Sequence, residues 1–451
     1  MDIKDLYRIF RACGSVATDS RKIRGGELFF ALRGDSFDGN DFAVKALECG
    51  AAYAVVDADS EVAAHSASES GMTGRIIPVD NTLKTLQALA RYHRSMTFVD
   101  GKPLPVIGLT GTNGKTTTKE LIKAVLSVKY NVTATEGNLN NSIGVPLSLL
   151  KITPATQIAV IEMGASHMGD ISELVSVALP DYGLITNVGK AHLLGFGSFE
   201  GVMKAKGELY DYLQRTADKV FLNADNPYLC RMASERPDLQ TIPYGVRYQG
   251  AIVRETSAAN PFLSIAVPDE NGDEIEISTH LVGAYNADNV MAAIAVGRHF
   301  GVSLKEAASA VMAYMPENSR SQMVRTAGNV LIVDAYNANP TSMAAALDNF
   351  AAFSASHKAV MLGDMLELGE NSLAEHQAIV RKACAAGFRV FLVGNEFGRA
   401  LESCRAVDSD LMHFASSEVL ASWLKAHPLE GYAVLVKGSR GTAMEKCIPY
   451  L

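Results

Sequence analysis

With 451 residues, 48% of them hydrophobic and 20% charged, the chain is too long for one ordinary core and apolar enough to bury several, so its length predicts about three domains. The net charge of -8 is spread without a basic block, which argues against sequence-independent nucleic-acid binding by phosphate neutralisation. The six cysteines are scattered, with no C-x-x-C and no histidine at metal-ligand spacing, no run approaches the ~18 apolar residues of a membrane span, and MDIKDLYRIF holds no signal-peptide core. A disulfide framework, a structural zinc and a membrane anchor are thus not expected; reduced thiols in a soluble, cytoplasmic protein are.

In chain order, ELFFAL, AAYAVVD and RIIPVD read as strands. NTLKTLQALARYHRSM reads as a helix capped by Asn81, with Leu83, Leu86, Leu89 and Ala90 on one face. The two prolines of DGKPLPVIGLT mark a joint before the next strand. There PVIGLT passes through a glycine-rich loop into the helix KTTTKELIKAVLSV, and QIAVIEMG, YGLITNVG and KVFLNAD follow as buried strands of the parallel-sheet kind. An excursion at 250–282 carries Asn271-Gly272 between alternating residues, the signal of an inserted hairpin. MPENSR is a second joint. Beyond it NVLIVDAY, KAVMLGD, RVFLVGN and YAVLVKGS alternate with helices from Thr341, over LAEHQAIVRKACAAG and near 417–427. The expected class is α/β in three domains: a small one over 1–103, a central P-loop ATPase-like one with a parallel sheet over 104–316, and a Rossmann-like one over 317–451.

GLTGTNGKTTT, residues 108–118, departs from the general phosphate-loop pattern G-x-x-x-x-G-K-[ST], which would put glycine where Leu109 stands. A strand that ends in such a turn and feeds a helix still presents backbone N–H groups and the positive helix end to an anion. Lys115 can reach terminal phosphates and Thr116 can offer a hydroxyl to Mg²⁺. Glu162 ends an apolar strand at the carboxyl edge where ligands bind in such sheets. Asn187 and His192 follow another strand, and Lys204 and Lys206 lie on a helical stretch behind them. Taken one at a time, these are as readily a strand-ending glutamate, a solvated histidine and solvent-facing lysines.

Together they resemble one family over essentially the whole chain. TGTNGKTTT, GNLNNSIGVPLSLL, IEMGAS, ITNVGKAHL, AKGEL, NADNP and YNADNVMAAIA are similar to segments of the Mur ligases, the cytoplasmic ATP-dependent amide-forming enzymes of peptidoglycan precursor synthesis, and fall in the same order. DAYNANPTSM, MLGDMLELGENS and VLVKGSRGTAMEK resemble the branch that adds D-alanyl-D-alanine to UDP-N-acetylmuramoyl-tripeptide, and TDSRKIRGGELFFALRGDSFDGNDF resembles a UDP-substrate-binding domain. The resemblance implies a C–N-forming ligase working through an acyl phosphate, with no nucleic-acid or membrane partner and a monomeric chain. The tripeptide-forming ligase and the folylpolyglutamate synthetases share the short loop; YNANP disfavours the first and the UDP-domain resemblance the second. A nucleotide switch would have no use for Glu162, His192 and Lys206 together.

The resemblance further implies that Gly111, Thr112, Asn113, Gly114, Lys115, Thr116 and Thr117 hold the ATP phosphates. It puts Asn286 and Asn289 at the adenine, Arg320 at the γ-phosphate and Asp334 near the ribose. Thr116 and Glu162 would serve one Mg²⁺, and His192 with a carbamylated Lys206 a second. Lys115, Lys206, Glu162 and His192 form the implied catalytic set. Ser20 and Arg21 would hold the uridine end, Asn138, Asn140 and Asn141 the muramoyl diphosphate, and Asn337, Asn339 and Pro340 the incoming dipeptide. Three positions depart from the family pattern: Tyr285 and Asn40 replace a usual histidine and Ser319 a usual glycine. The joint near Pro316 is a candidate hinge by which the third domain closes on the second.

Overall fold

The computed structural model describes residues 1–34, 37–65, 74–255, 262–316, 322–402 and 410–451. Its backbone divides into two compact units, one comprising Met1–Leu109, Tyr130–Gly164 and Asp170–Gly183, the other Thr110–Lys129, Ala165–Gly169 and Leu184–Leu451.

The first unit opens on a helix, Ile3–Cys13, that Asp2 caps and Gly14 ends at φ 76°. Four parallel strands follow, in the order Val16–Ala17, Leu28–Phe30, Tyr53–Asp57, Ile76–Val79. Phe29, Ala54 and Val56 fill one core of this sheet with Ala43, Ala46 and Leu47. Asn40 is buried and wholly engaged: its amide donates to Asp38 (2.7 Å) and Asp57 (2.9 Å), and its oxygen accepts from the Asp57 N–H (2.9 Å). The departure at position 40 therefore carries a structural joint, since every polar atom of that side chain is held inside the unit. Farther along the same unit, Val106–Thr110, Ile158–Glu162 and Val132–Ala134 are parallel neighbours, with Leu109 opposite Glu162.

Asn81 caps the helix Thr82–Ser95 by accepting from the Lys84 N–H at 2.8 Å, as its position predicts. Late in that helix the His93 ring is buried. Its Nε2–H donates to the Ile152 carbonyl at 2.9 Å, which in the neutral ring leaves Nδ1 to accept from the Tyr7 hydroxyl at 3.2 Å. Desolvation by burial holds its pKa below the usual histidine value, helped by the Arg11 charge and opposed by the Ile152 bond. Between that lowered pKa and the ordinary ~6.5 the unfolded chain binds the extra proton, so stability rises with pH across this interval and falls as pH drops through it. Urea midpoints measured from pH 7.5 to 5.5 should therefore decline more steeply for the native chain than for His93→Gln, and parallel curves would refute the assignment.

In the second unit the helix Lys115–Leu126 lies against the helix Ala287–His299. Gly297 permits the approach, because a Cβ there would stand 2.3 Å from Val125 Cγ1. Lys219–Asn223 and Gln240–Tyr244 run parallel. The excursion expected as a hairpin is a three-stranded antiparallel sheet, Ile252–Val253, Phe262–Pro268 and Glu274–Val282, with Gly272 at φ 85° in its turn.

A six-stranded sheet closes the chain in the order Gln322–Arg325, Val330–Asp334, Tyr432–Lys437, His357–Gly363, Arg389–Val393, Leu411–Phe414. All neighbours are parallel except the first pair. Its two faces carry separate cores, one around Leu347, Phe350 and Phe397, the other around Phe391, Leu424 and Met444. The helix expected from Thr341 begins one residue earlier, at Pro340, because Asn339 and not Thr341 is the cap: it accepts from the Ser342 N–H at 2.9 Å while the Ser342 hydroxyl accepts from its own N–H at 3.1 Å. Among the described residues no helix is long and apolar enough to cross a membrane, and the cysteines at 13, 49, 230, 384 and 447 form no disulfide there.

Candidate active site

The loop after Val106–Thr110 is built around two glycines. Gly111 takes φ 146° and a Cβ there would lie 2.0 Å from Thr186 Oγ1; Gly114 takes φ 76° and a Cβ would lie 2.7 Å from Asn289 Oδ1. The chain between them is stitched to residues 186–189. Asn187 accepts from the Thr112 N–H through its carbonyl (3.0 Å) and from the Asn113 N–H through Oδ1 (2.9 Å), and Thr186 Oγ1 donates to the Asn113 carbonyl at 2.6 Å. Lys115 folds back so that Nζ donates to the carbonyls of Gly111 (2.8 Å) and Thr112 (3.1 Å). No side chain caps the helix Lys115–Leu126. Its first N–H groups follow directly on the loop, with Thr116 buried and Thr117 half-buried on the first turn, an arrangement that suits an anion.

Asn286 and Asn289 are both buried and brace that helix. Thr118 Oγ1 donates to Asn289 Oδ1 at 2.9 Å, Asn289 Nδ2 donates to Asn286 Oδ1 at 2.9 Å, and Asn286 Nδ2 donates to the Val282 carbonyl at 2.9 Å. Beside them Tyr285 is half-exposed, its ring packed over Gly283. On the other side of the loop Asn339 Nδ2 donates to Asn113 Oδ1 at 2.7 Å, joining the NANP segment to the phosphate loop. Thr341 Oγ1 accepts from the Lys190 N–H at 3.0 Å and Lys190 pairs with Glu375 at 2.6 Å.

His192 follows at φ 50° and contacts Glu367, itself at φ 62°, through Nδ1. Burial pushes the His192 pKa down against the pull of Glu367. The backbone of the same glutamate accepts from the Leu194 N–H at 3.2 Å. Lys206 is buried in the helix Phe199–Thr216; its Nζ donates to the Ala165 carbonyl at 3.3 Å and lies 5.4 Å from the Phe196 ring centre. Lys204, two residues away, is exposed. Asp334 and Lys437 end neighbouring strands in register, and the buried Lys437 ammonium donates to Asp334 Oδ2 at 2.6 Å and to the Asn337 carbonyl at 3.2 Å. The loops after Val330–Asp334, His357–Gly363 and Tyr432–Lys437 wall a cavity of about 270 Å³ together with Ala191 and His192; Asn337, Asn339, Glu367 and Arg440 stand on its lining. Arg320 lies outside the described residues, as do Ser319 and the hinge residues that follow Pro316.

In the first unit Glu162 is buried at the end of its strand. Asn140 Nδ2 donates to Glu162 Oε1 at 2.7 Å, and the Glu162 N–H donates to Thr135 Oγ1 at 3.0 Å. Asn141 instead serves the chain, accepting from the N–H groups of Ile143 (3.2 Å) and Gly144 (2.8 Å), and Asn138 is exposed. Ser20 is buried at the start of a short turn. Beside it the Arg21 guanidinium forks onto Asp19, both bonds 2.9 Å, and that hydrogen bonding takes Asp19 down to about 2. Asp19, Glu367 and Lys437, which contact candidate residues, and Arg440, which lines the cavity, escaped the reading of the sequence. Only Lys437 left a signal, as a lysine ending an apolar strand.

Three family models match the chain in succession: the Mur ligase family catalytic domain over 14–94, the Mur ligase middle domain over 109–297, and the Mur ligase glutamate ligase domain over 319–440. The UDP-N-acetylmuramoyl-tripeptide–D-alanyl-D-alanine ligase of Bacillus subtilis is 35% identical over 447 residues, 96% of this chain and 92% of its own. A crystal structure of MurF from Acinetobacter baumannii superposes with a TM-score of 0.84 at 27% identity, covering 99% of this chain and 97% of that one. MurF ligase from Thermotoga maritima, solved in complex with ADP, gives 0.80 at 25% identity over 97% and 96%. With the phosphate loop, the braced helix behind it and near-complete coverage in agreement, this chain belongs to the Mur ligase family.

Proposed function

We propose that this protein joins D-alanyl-D-alanine to UDP-N-acetylmuramoyl-tripeptide at the expense of ATP, giving the UDP-MurNAc-pentapeptide, ADP and phosphate, as a cytoplasmic ligase of peptidoglycan precursor synthesis. The observation that carries the reading is the uncapped helix N-terminus behind Gly111–Lys115, in a chain similar over nearly its whole length to ligases of that name. The domains assigned are 1–103 for the UDP-substrate, 104–316 for ATP and 317–451 for the incoming dipeptide.

A carboxylate does not accept an amine at neutral pH, because its carbonyl is unreactive and its oxygen a poor leaving group. The tripeptide carboxylate oxygen attacks the γ-phosphorus and the bond to ADP breaks, leaving an acyl phosphate. The dipeptide amine then attacks the acyl carbon, loses its proton and expels phosphate. The chain's part is to hold and neutralise the groups that meet. Gly111, Thr112, Asn113, Gly114 and Thr117 form the loop and first helical turn around the phosphates, its shape held where the Thr112 and Asn113 N–H groups donate to Asn187, and Lys115, released from its loop carbonyls, supplies a cation. Asn286, Asn289 and Asp334 form the nucleoside side, with Arg320 at the γ-phosphate. Ser20, Arg21, Asn138, Asn140 and Asn141 take the UDP-muramoyl substrate, and Asn337, Asn339 and Pro340 the dipeptide.

Among the described residues no three His, Cys, Asp or Glu side chains gather as a metal cage. The donors assigned are few and mostly hard: the Thr116 hydroxyl, the Glu162 carboxylate and the His192 ring. That set fits Mg²⁺, which keeps waters and takes phosphate oxygens as ligands. Two bound ions would screen the phosphate charge during attack. Carbamylation would turn the buried Lys206 from a cation into an anionic oxygen donor for the second.

The test is an assay with all three substrates. ADP release and a product heavier by one dipeptide less water are expected, each requiring D-alanyl-D-alanine; turnover with a single amino acid instead would assign the chain to another branch of the family.

A further inference from the structure

The cavity of about 270 Å³ sits outside the carboxyl ends of three adjacent strands, where open α/β sheets bind their ligands. It is smaller than the roughly 300–1,000 Å³ of pockets for drug-sized ligands, so it suits a molecule of few heavy atoms better than a nucleotide. Its polar lining includes two asparagines, Asn337 and Asn339, and its charged groups are unevenly occupied. Glu367 is turned onto His192 Nδ1. Arg440 forms no ion pair among the described residues.

The turn that carries Arg440 is fixed on both sides. Ser439 Oγ donates to the Asp364 carbonyl at 2.6 Å, Thr442 Oγ1 donates to the Ser439 carbonyl at 2.7 Å, and Gly363 and Gly438 pack so closely on Thr442 and Met444 that a Cβ at either would clash. A rigid turn that presents a long cation at a small cavity whose one lining carboxylate, Glu367, is turned onto His192 is suited to one anion.

We infer that Arg440 binds the terminal carboxylate of the incoming dipeptide and thereby selects acceptors that carry one. The inference rests on the dipeptide-ligation reading above. The dipeptide reacts through its amine, which must be uncharged to attack, so a guanidinium has no favourable role at that end. The carboxylate is the only anion the dipeptide offers. Ala338 and Leu366 on the same lining provide an apolar stretch for its methyl groups.

Steady-state kinetics of the full-length chain with D-alanyl-D-alanine and with D-alanyl-D-alaninamide, for the native protein, Arg440→Ala and Arg440→Lys, test this. In the native protein the amide should raise the acceptor KM roughly 10- to 100-fold. Arg440→Ala should raise the KM for the free dipeptide by a similar factor and lose the distinction between the two acceptors, while Arg440→Lys recovers part of it. The KM values for ATP and UDP-tripeptide should stay within about twofold, and thermal melts should coincide because Arg440 is exposed. An unchanged dipeptide KM in Arg440→Ala, an equal loss for both acceptors, or a rise in the ATP KM instead would overturn the inference while native ligation of the free dipeptide keeps the parent reading intact. A native chain that ligates no dipeptide overturns both.

Discussion

Replacing Lys115 by alanine is expected to lower kcat/KM for ATP on the order of 10³-fold and to leave the fold intact. The ammonium donates to the carbonyls of Gly111 and Thr112, so the lysine sits over the concave side of its own loop, within reach of an anion held by the first N–H groups of the helix. Developing negative charge on transferring phosphate oxygens is what a nearby cation stabilises, and no other side chain of the loop is cationic. Structural damage should be slight, because Lys115 opens a helix and alanine is a good helix former. The substitution Lys115→Arg should also stay well below native activity, since a planar fork does not replace a compact ammonium there. ADP release and nucleotide titration, followed together with thermal melting, are the measurements. A Lys115→Ala protein that keeps a tenth or more of native turnover would sink the assignment; one that melts far below the native chain would move the role from chemistry to loop structure.

What the sequence made legible was local. GLTGTNGKTTT announces a strand, a turn and a helix start by its own composition, and all three stand where their residues put them. Glu162 is legible for the same reason, as the polar end of an apolar run. The residues that escaped are those whose meaning depends on a partner far along the chain. Glu367 matters because it meets His192, 175 residues away, and nothing in MLELGEN points there. Arg440 is one of many arginines until three loops, after strands separated by helices, enclose a single cavity. Asn40 shows the converse. Position 40 invites a ligand role by comparison with relatives, yet its amide is occupied by Asp38 and Asp57, a fact that only the tertiary pairing of residues 38, 40 and 57 supplies. Asn286 and Asn289 have much of their amide capacity engaged in the same way, so any contact they make with a base must use what the bracing network leaves.

Gly111→Ala is expected to be strongly damaging, destabilising the second unit by about 2–4 kcal/mol and weakening ATP binding at least tenfold. Two separate effects add. At φ 146° the backbone lies where L side chains rarely go, whatever space is available. The new Cβ would also fall 2.0 Å from Thr186 Oγ1 and 3.1 Å from the Thr186 backbone nitrogen. That hydroxyl cannot simply rotate away, because it donates to the Asn113 carbonyl at 2.6 Å and so holds the loop in shape. The double variant Gly111→Ala with Thr186→Ala separates the two: it removes the side-chain collision but leaves the backbone strain and the lost Asn113 bond. Urea unfolding and ADP titration should therefore show it recovering part of the stability and little of the binding. Full recovery of both would mean that the collision alone mattered. A Gly111→Ala chain indistinguishable from native in both would mean that the loop does not need the conformation that places glycine there.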